Sequence, residues 1–283
     1  MTSTRTAAVR AGIEGGWVDL RNSFTNAQDI TYYLFIPIVS IAALVVMGDA
    51  TIRDSGAALQ MLALPSILGM SIVFSGISTA AMWLHLDRDD GTLLRARATP
   101  NGIAGYLVGK SLFITGSAAV TVVLVVVPGL ILFDGFEAGA TAWVTLAAVF
   151  VFGMLATLPI GAVIGSLGDD PKKIDLIAMP VLATIAISGI FYPITALPGW
   201  LQAIGQILPT YWIGLGMRSA LLPDSMAAVE IGGSWRHLEM IGVLGVWTVI
   251  GLILAPILLR RMARRESGAN LAARRLKVLQ RVQ

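Results

Sequence analysis

Six long apolar stretches constrain what this chain can fold into more than any other feature. Each is long enough to cross the hydrocarbon core of a bilayer as a helix, and polar or broken segments separate them. Hydrophobic residues make up 56% of the 283 residues and charged residues only 13%, whereas a soluble domain carries about 25% charged residues. The sequence therefore predicts an all-α integral membrane protein with six transmembrane helices. The predicted spans are residues 31–47, 59–84, 103–133, 140–167, 174–193 and 238–259.

The flanks of the six-span core, residues 31–259, are polar or amphipathic. We expect one transmembrane domain over residues 1–283, because no long segment lacks an apolar stretch. Residues 1–30 carry no cleavable signal sequence but an apolar stripe at helical spacing, which favours a helix in the membrane interface and also fits packing on another subunit. Residues 260–283 form a basic tail, which favours an anchor on anionic lipid over a partner site. The stripe consists of Val9, Ile13, Trp17, Leu20 and Phe24.

Basic residues are distributed unevenly between the two sides of the predicted bundle. Seventeen of the 20 lie in the N-terminal flank, in the tail, and around the loops that follow the second and fourth spans. Since loops rich in Lys and Arg stay in the cytoplasm, we expect both termini to be cytoplasmic in a multi-pass protein of the bacterial plasma (inner) membrane. An even number of spans requires the same result. Lys110, near the cytoplasmic end of the third span, is predicted to extend its ammonium to the interface.

The segment between the fifth and sixth spans, residues 194–237, is half apolar and rich in Pro and Gly. It is too broken to form one clean span. An irregular backbone at membrane depth must be buried in protein or face water. We therefore predict an outer re-entrant or interfacial hairpin of two short helices.

The interiors of the spans limit the chemistry of the chain. No ionisable side chain lies centrally in any span, which argues against proton-coupled carriers and ion channels with a charged filter. There is no cysteine, and the two histidines are far apart, so we expect neither metal nor cofactor in this chain. Gly161 and Gly165 favour close helix packing, within the chain or across a dimer. Hydroxyl and apolar residues would suit a lipophilic or amphipathic cargo, although such residues also let helices pack closely; the candidate pathway residues are Met70, Phe74, Ser75, Ser78, Thr184, Ser188 and Phe191.

A polar island, residues 85–100, separates the second span from the third. It holds three aspartates and three arginines, and the orientation above places it in the first cytoplasmic loop. Because aspartates add nothing to a positive-inside signal, we expect the island to contact a cytoplasmic partner. Residues 104–111 match a loose nucleotide-binding P-loop, but they enter an apolar span with no strand before them. We therefore expect no nucleotide site in this chain.

Two groups of residues follow the spacing of a known family. The island residues are Asp87, Arg88, Asp89, Gly91, Thr92, Leu93, Thr99 and Pro100. The hairpin residues are Ser188, Gly189, Phe191, Pro193, Leu197, Pro198, Leu201, Pro209, Tyr211 and Arg218. Together they resemble the permease subunits of type-2 ABC exporters, in the drug-resistance branch that includes the daunorubicin-resistance permeases. The chain departs from the family's pattern at Leu94, where an acid is usual, and at Ala96, where leucine is usual.

The resemblance implies a mechanism. The island would be a cytoplasmic coupling helix docked in a cleft of a separate ABC ATPase, so the chain would be a transport subunit rather than an enzyme. Two permeases, identical copies or paralogues, and two ATPases would form the exporter, with ATP and magnesium on the ATPases. The cargo would be a lipophilic drug, antibiotic or lipid; membrane lipids are further partners, and no nucleic acid is expected. A permease for a lipid-linked glycan and a non-transporting membrane anchor are the alternatives.

Overall fold

The structure is a computed structural model that describes residues 2–47, 59–167 and 171–265. This part of the chain is helical and contains no strand, as the apolar spans predicted. A π-helical turn, Ser75–Thr79, joins α3 to α4, and the basic tail beyond Arg265 lies outside the described residues. The α-helices are α1 Thr2–Ser23, α2 Ala27–Met47, α3 Leu59–Phe74, α4 Ala80–Asp89, α5 Thr92–Arg97, α6 Gly102–Leu132, α7 Ala140–Leu167, α8 Pro171–Ile187, α9 Gly199–Ile207, α10 Pro209–Leu221 and α11 His237–Arg265.

Five helical stretches of the described chain are long and apolar enough to cross a membrane. They correspond to the first four predicted spans and the last. The predicted fifth span, residues 174–193, is occupied by α8, which has 17 residues and ends at Ile187. Its predicted extension is wrong because Gly189 takes a left-handed conformation, with φ at +65°, and turns the chain. A sixth span therefore stays a prediction. The five stretches are Ala27–Met47, Leu59–Asp89, Gly102–Leu132, Ala140–Ser166 and His237–Leu259.

The second span, formed by α3, the π-helical turn and α4, packs on α7 through small residues. A side chain at Gly161 would overlap the carbonyl oxygens of Gly76 and Ile77, and one at Gly165 would overlap that of Ala81. Only glycine allows the two backbones to approach this closely. The sequence left open whether Gly161 and Gly165 pack within the chain or across a dimer. In the structure they pack within the chain.

The helix α10 lies at the centre of the bundle. Nearly every residue from Pro209 to Leu221 is buried. Its Gly214 approaches the backbone of Gly69 in α3, and its Gly216 lies against Val149 of α7. The broken segment thus contains two short helices, α9 and α10, as predicted. The second helix is enclosed by protein, as a broken segment at membrane depth requires. Re-entry into a membrane stays a prediction.

The N-terminal helix α1 lies along the first part of α6. Side chains at Gly12 or Gly16 would overlap the backbone of Gly105 or Gly109, so glycines on both helices permit this contact. The apolar stripe of α1 remains largely open, and Trp17 is 61% exposed. The sequence did not predict this contact with α6. The contact between α1 and α6 leaves the apolar stripe available to a membrane interface or to a further subunit.

Candidate coupling segment and adjoining cavities

The polar island folds as the end of α4, a tight turn and the short helix α5. Gly91 stands before α5 with φ at +86°, a left-handed conformation that glycine adopts without strain. The Asp90 side chain accepts a hydrogen bond from the backbone N–H of Thr92 at 2.7 Å, which satisfies a free donor at the start of α5. Sequence reasoning missed Asp90, although an aspartate before a glycine is a recognisable signal for a turn in which its side chain binds the backbone N–H two residues later. The helix itself is short, because Asp87 to Asp89 continue the second span.

Several residues predicted to touch a partner point into the protein instead. Asp87, Arg88 and Leu93 are buried. Asp89 lies 3.2 Å from Nε2 of His85 on the same helix. Leu93 fastens α5 to the ends of the neighbouring helices through a small apolar cluster. The buried members of that cluster are Leu84, Leu93, Leu259 and Met262.

Asp87 anchors a buried polar network between α4 and α6. Lys110 Nζ lies 2.8 Å from Asp87 Oδ2, and the Tyr106 hydroxyl donates a hydrogen bond to the same oxygen at 2.7 Å. The ammonium also lies 4.6 Å from the centroid of the Trp83 ring. Only 8% of the Asp87 side chain and 16% of the Lys110 side chain are exposed. The sequence did not predict this counter-charge for Lys110, and the position of its ammonium at the membrane interface stays a prediction.

The other face of the segment is open to solvent. Arg95, Arg97, Thr99 and Pro100 are exposed. Arg95 Nη2 donates a hydrogen bond to Thr92 Oγ1 at 3.0 Å, which holds the guanidinium beside the first turn of α5. Arginine forms short, charge-assisted hydrogen bonds with carboxylates, so this face is suited to an acidic surface on a partner.

A cavity of about 300 Å³ lies among α2, α3, the π-helical turn, α6 and α8. Of the predicted pathway residues, Met70, Phe74 and Ser75 line it. Tyr33 and Ser117 line it too, with their hydroxyl oxygens 2.9 Å apart. Sequence reasoning missed these two because nothing local reveals which faces of the first and third spans meet.

The other four pathway candidates do not line this cavity. The hydroxyls of Thr184 and Ser188 donate hydrogen bonds to carbonyl oxygens three residues earlier in their own segment. The Ser78 hydroxyl is buried without a hydrogen-bond partner, and Phe191 follows α8 with 45% of its surface exposed. The structure therefore divides the predicted pathway into a group of three residues at one cavity and four residues elsewhere.

A second buried ion pair holds the region around α10. Arg218 Nε lies 2.9 Å from Glu230 Oε1, and only 2% and 1% of these side chains are exposed. The guanidinium also donates hydrogen bonds to the carbonyl oxygens of Gly189 and Ile190. These contacts join Gly189 and Arg218, two residues of the hairpin pattern that lie 29 positions apart. Burial, with a smaller effect of Glu230, raises the pKa of the Tyr211 phenol, which keeps this group neutral.

Comparison with known families decides the identity of this arrangement. The family model described as ABC-2 family transporter protein matches residues 18–259. The chain belongs to this ABC-2 family. The match covers all of the long apolar helices, the coupling segment and the buried ion pair around α10. No curated protein is significantly similar to the chain.

Membership of the ABC-2 family has direct consequences. The chain is a multi-pass membrane protein and a transport component. Permeases of the ABC-2 family typically work with an ABC ATPase.

Proposed function

We propose that the chain is the membrane-spanning subunit of an ATP-driven exporter that moves a lipophilic drug, antibiotic or lipid outward, in the drug-resistance branch of its family. A separate ABC ATPase supplies the energy and holds ATP and magnesium. The observation that carries this proposal is the division of the coupling segment into two faces. Its arginine face is exposed, while Leu93 and Asp87 fasten the same segment to the bundle.

The two faces allow a movement of the ATPase to be transmitted through α5 to the transmembrane helices. A partner that grips the exposed Arg95 and Arg97 moves α5 as a unit, because its six residues form one short helix. Leu93 passes the displacement to α4 and α11 through the apolar cluster at the helix ends. The Asp87–Lys110 pair then joins α4 to α6, so that the second and third spans move together.

The working assembly contains two permeases and two ATPases, with both termini of each permease in the cytoplasm of a bacterial cell. The second permease is an identical copy or a paralogue. Met70, Phe74 and Ser75, which line the 300 Å³ cavity, lie on the second span. The coupling segment stands at the end of the same span, so motion of α5 reaches the cargo site along one continuous helical stretch.

Reconstitution with a partner ABC ATPase tests the proposal. Reversal of both exposed charges, Arg95→Glu with Arg97→Glu, is expected to abolish ATP-driven export and weaken co-purification of the ATPase while the permease stays folded. The matched control reverses two exposed charges at the far end of α6, Asp134→Lys with Glu137→Lys, and should leave export unchanged.

Export at the wild-type rate by the Arg95/Arg97 variant would show that α5 does not couple the two subunits. Retention of the ATPase without movement of any cargo by the wild-type pair would favour a membrane anchor instead.

A further inference from the structure

Three adjoining cavities follow the line where α2, the second span and α6 meet. The 300 Å³ cavity shares Tyr33, Thr79 and Ser117 with a second cavity of about 650 Å³. That cavity shares Asp29 and Trp83 with a third of about 610 Å³. Neighbouring cavities share lining residues, and we call the three together the span groove.

The span groove is as long as an extended amphiphile. Met70 lines its inner end and Asp87 its outer end. These residues belong to one continuous helical stretch, Leu59–Asp89, so a rise of about 1.5 Å per residue separates them by about 25 Å.

The inner end of the groove is apolar. Ile36, Met70 and Phe74 form its walls. The hydroxyls of Ser71 and Thr121 also lie there, but each donates a hydrogen bond to a carbonyl oxygen four residues earlier in its own helix. The donors of these hydroxyls are thus already satisfied without a polar ligand, and the inner end suits a hydrocarbon chain.

The middle of the groove coincides with the π-helical turn. Ser75 and Thr79, the first and last residues of that turn, both line the groove. Among the described residues neither hydroxyl has a hydrogen-bond partner. Single π-helical turns inside α-helices occur frequently at functional sites. The middle of the groove thus offers free hydroxyls to a polar group on a ligand.

The outer end of the groove is acidic. Asp19 of α1 and Asp29 of α2 both line the third cavity, and neither forms an ion pair within the described residues. Asp87 lies there as well, but Lys110 neutralises it. Asp19 is exposed and Asp29 partly buried, and two carboxylates without an ion-pair partner attract positive charge and disfavour anions.

We propose that the span groove binds a cationic amphiphile, with an ammonium head between Asp19 and Asp29 and an apolar tail that reaches Met70. This proposal rests on the proposed export function, since it names the class of cargo. The ligand enters with its head at the cytoplasmic end and its chain along α2. Ser75 and Thr79 bind any hydroxyl or carbonyl group that the ligand carries partway along its chain.

Three probes with one chain and different heads test the proposal on the full-length protein. Nitroxide-labelled octadecylamine, octadecanol and octadecanoic acid are titrated into purified protein in a neutral maltoside detergent at neutral pH. The protein-bound fraction is measured from the immobilised component of the nitroxide spectrum. We expect the amine to bind about tenfold more tightly than the alcohol, and the acid to bind most weakly.

Charge removal then locates the head. Asp19→Asn with Asp29→Asn should reduce amine affinity to that of the alcohol and leave alcohol affinity unchanged. The matched control, Glu14→Gln with Glu239→Gln, removes two carboxylates outside the groove and should preserve the preference for the amine. Ser75→Phe, which fills the middle of the groove, should weaken all three probes alike.

Equal affinity for the three heads, or tightest binding of the acid, overturns the proposal even if the double variant fails to fold, because this ranking needs only wild-type protein. An amine preference that survives loss of Asp19 and Asp29 overturns it as well. Neither result bears on energy coupling through α5. Conversely, failure of ATP-driven export would leave the measured head preference intact.

Discussion

The two buried ion pairs differ in what surrounds them. Asp87 and Lys110 tie α4 to α6 beside two cavities of about 580 and 610 Å³ that Lys110 helps to line. Arg218 and Glu230 lie in closely packed protein, and the guanidinium also holds the carbonyl oxygens of Gly189 and Ile190. The first pair thus has open space beside it next to the coupling segment, whereas the second is almost completely buried.

The separation between the pairs gives this difference a functional meaning. Ile190, which Arg218 contacts, also accepts a hydrogen bond from Ser66 in α3. Ser66 and Asp87 belong to the same helical stretch, at a distance of about 30 Å for a rise of 1.5 Å per residue. One span thus has a fixed end at the hairpin and an adjustable end at α5. Such an arrangement suits a helix that pivots when a partner moves α5.

Disruption of the Arg218–Glu230 pair, at the fixed end, should have the largest effect on stability. Glu230→Ala leaves the Arg218 guanidinium buried without its counter-charge, which is expected to cost about 3–5 kcal/mol of stability. Thermal unfolding of purified protein in detergent should show a large fall in Tm. Joint replacement, Arg218→Met with Glu230→Leu, should recover much of the loss because neither charge remains buried. An unchanged Tm for Glu230→Ala would show that this pair does not hold the hairpin.

Breaking the adjustable end should affect transport more than folding. Asp87→Asn removes the charge that Lys110 faces, but the adjoining cavities let water reach the ammonium, so we expect about 1–3 kcal/mol of destabilisation. Export measured with the reconstituted ATPase should fall at least tenfold, while ATP hydrolysis continues. Reversal of the pair, Asp87→Lys with Lys110→Asp, should restore part of the export. If Asp87→Asn lowers Tm as much as Glu230→Ala does, the two ends are not different in kind.

The turn before α5 allows a finer test of the adjustable end. Gly91→Ala forces a residue with a Cβ into a left-handed conformation and should cost about 1 kcal/mol. Gly91→Asn should cost less, because asparagine tolerates this conformation better. Maximal export rates should follow the order Gly, Asn, Ala, and Tm should change by only a few degrees. The reverse order for Asn and Ala would contradict the role assigned to this turn.

The smallest effect is expected at the cap of α5. Asp90→Ala removes the acceptor for the Thr92 N–H and should cost about 0.5–1 kcal/mol, whereas Asp90→Asn should retain most of the capping. The loss would appear as weaker binding of the ATPase, measured by titration of the reconstituted permease. Equal ATPase affinity for the Ala and Asn variants would show that the cap does not hold the exposed face in position.

Local sequence signals predicted the individual helices of the fold. They did not predict which helices contact one another. Apolar stretches placed four spans and the last one close to their observed bounds, because the length of a hydrophobic run is a local property. The left-handed turn at Gly91 and the end of α5 at Arg97, before Pro100, are local features as well. The Asp87–Lys110 pair required knowledge of how α4 and α6 are rotated against each other, which neither helix encodes alone.

The same limit explains the other errors. The prolines and glycines of the hairpin predicted two short helices but not their neighbours, because the close approach of Gly214 and Gly216 to α3 and α7 depends on residues of other helices. Of the pathway candidates, residues that share one face of a single helix, Met70 and Phe74, do meet at a cavity. Thr184 of α8 does not line it, although Leu182 and Ile185 of the same helix do, because the rotation of one span against another cannot be read from either sequence.

Cysteine protection at α5 tests the central claim most directly, and the chain has no native cysteine to interfere. Arg95→Cys should react rapidly with a maleimide in the permease alone and slowly once the ATPase is bound. Ser234→Cys, exposed in the loop before α11, should react equally in both states. This account predicts protection at residue 95 only. Equal labelling of Arg95→Cys with and without the bound ATPase would contradict the assignment of α5 as the coupling contact.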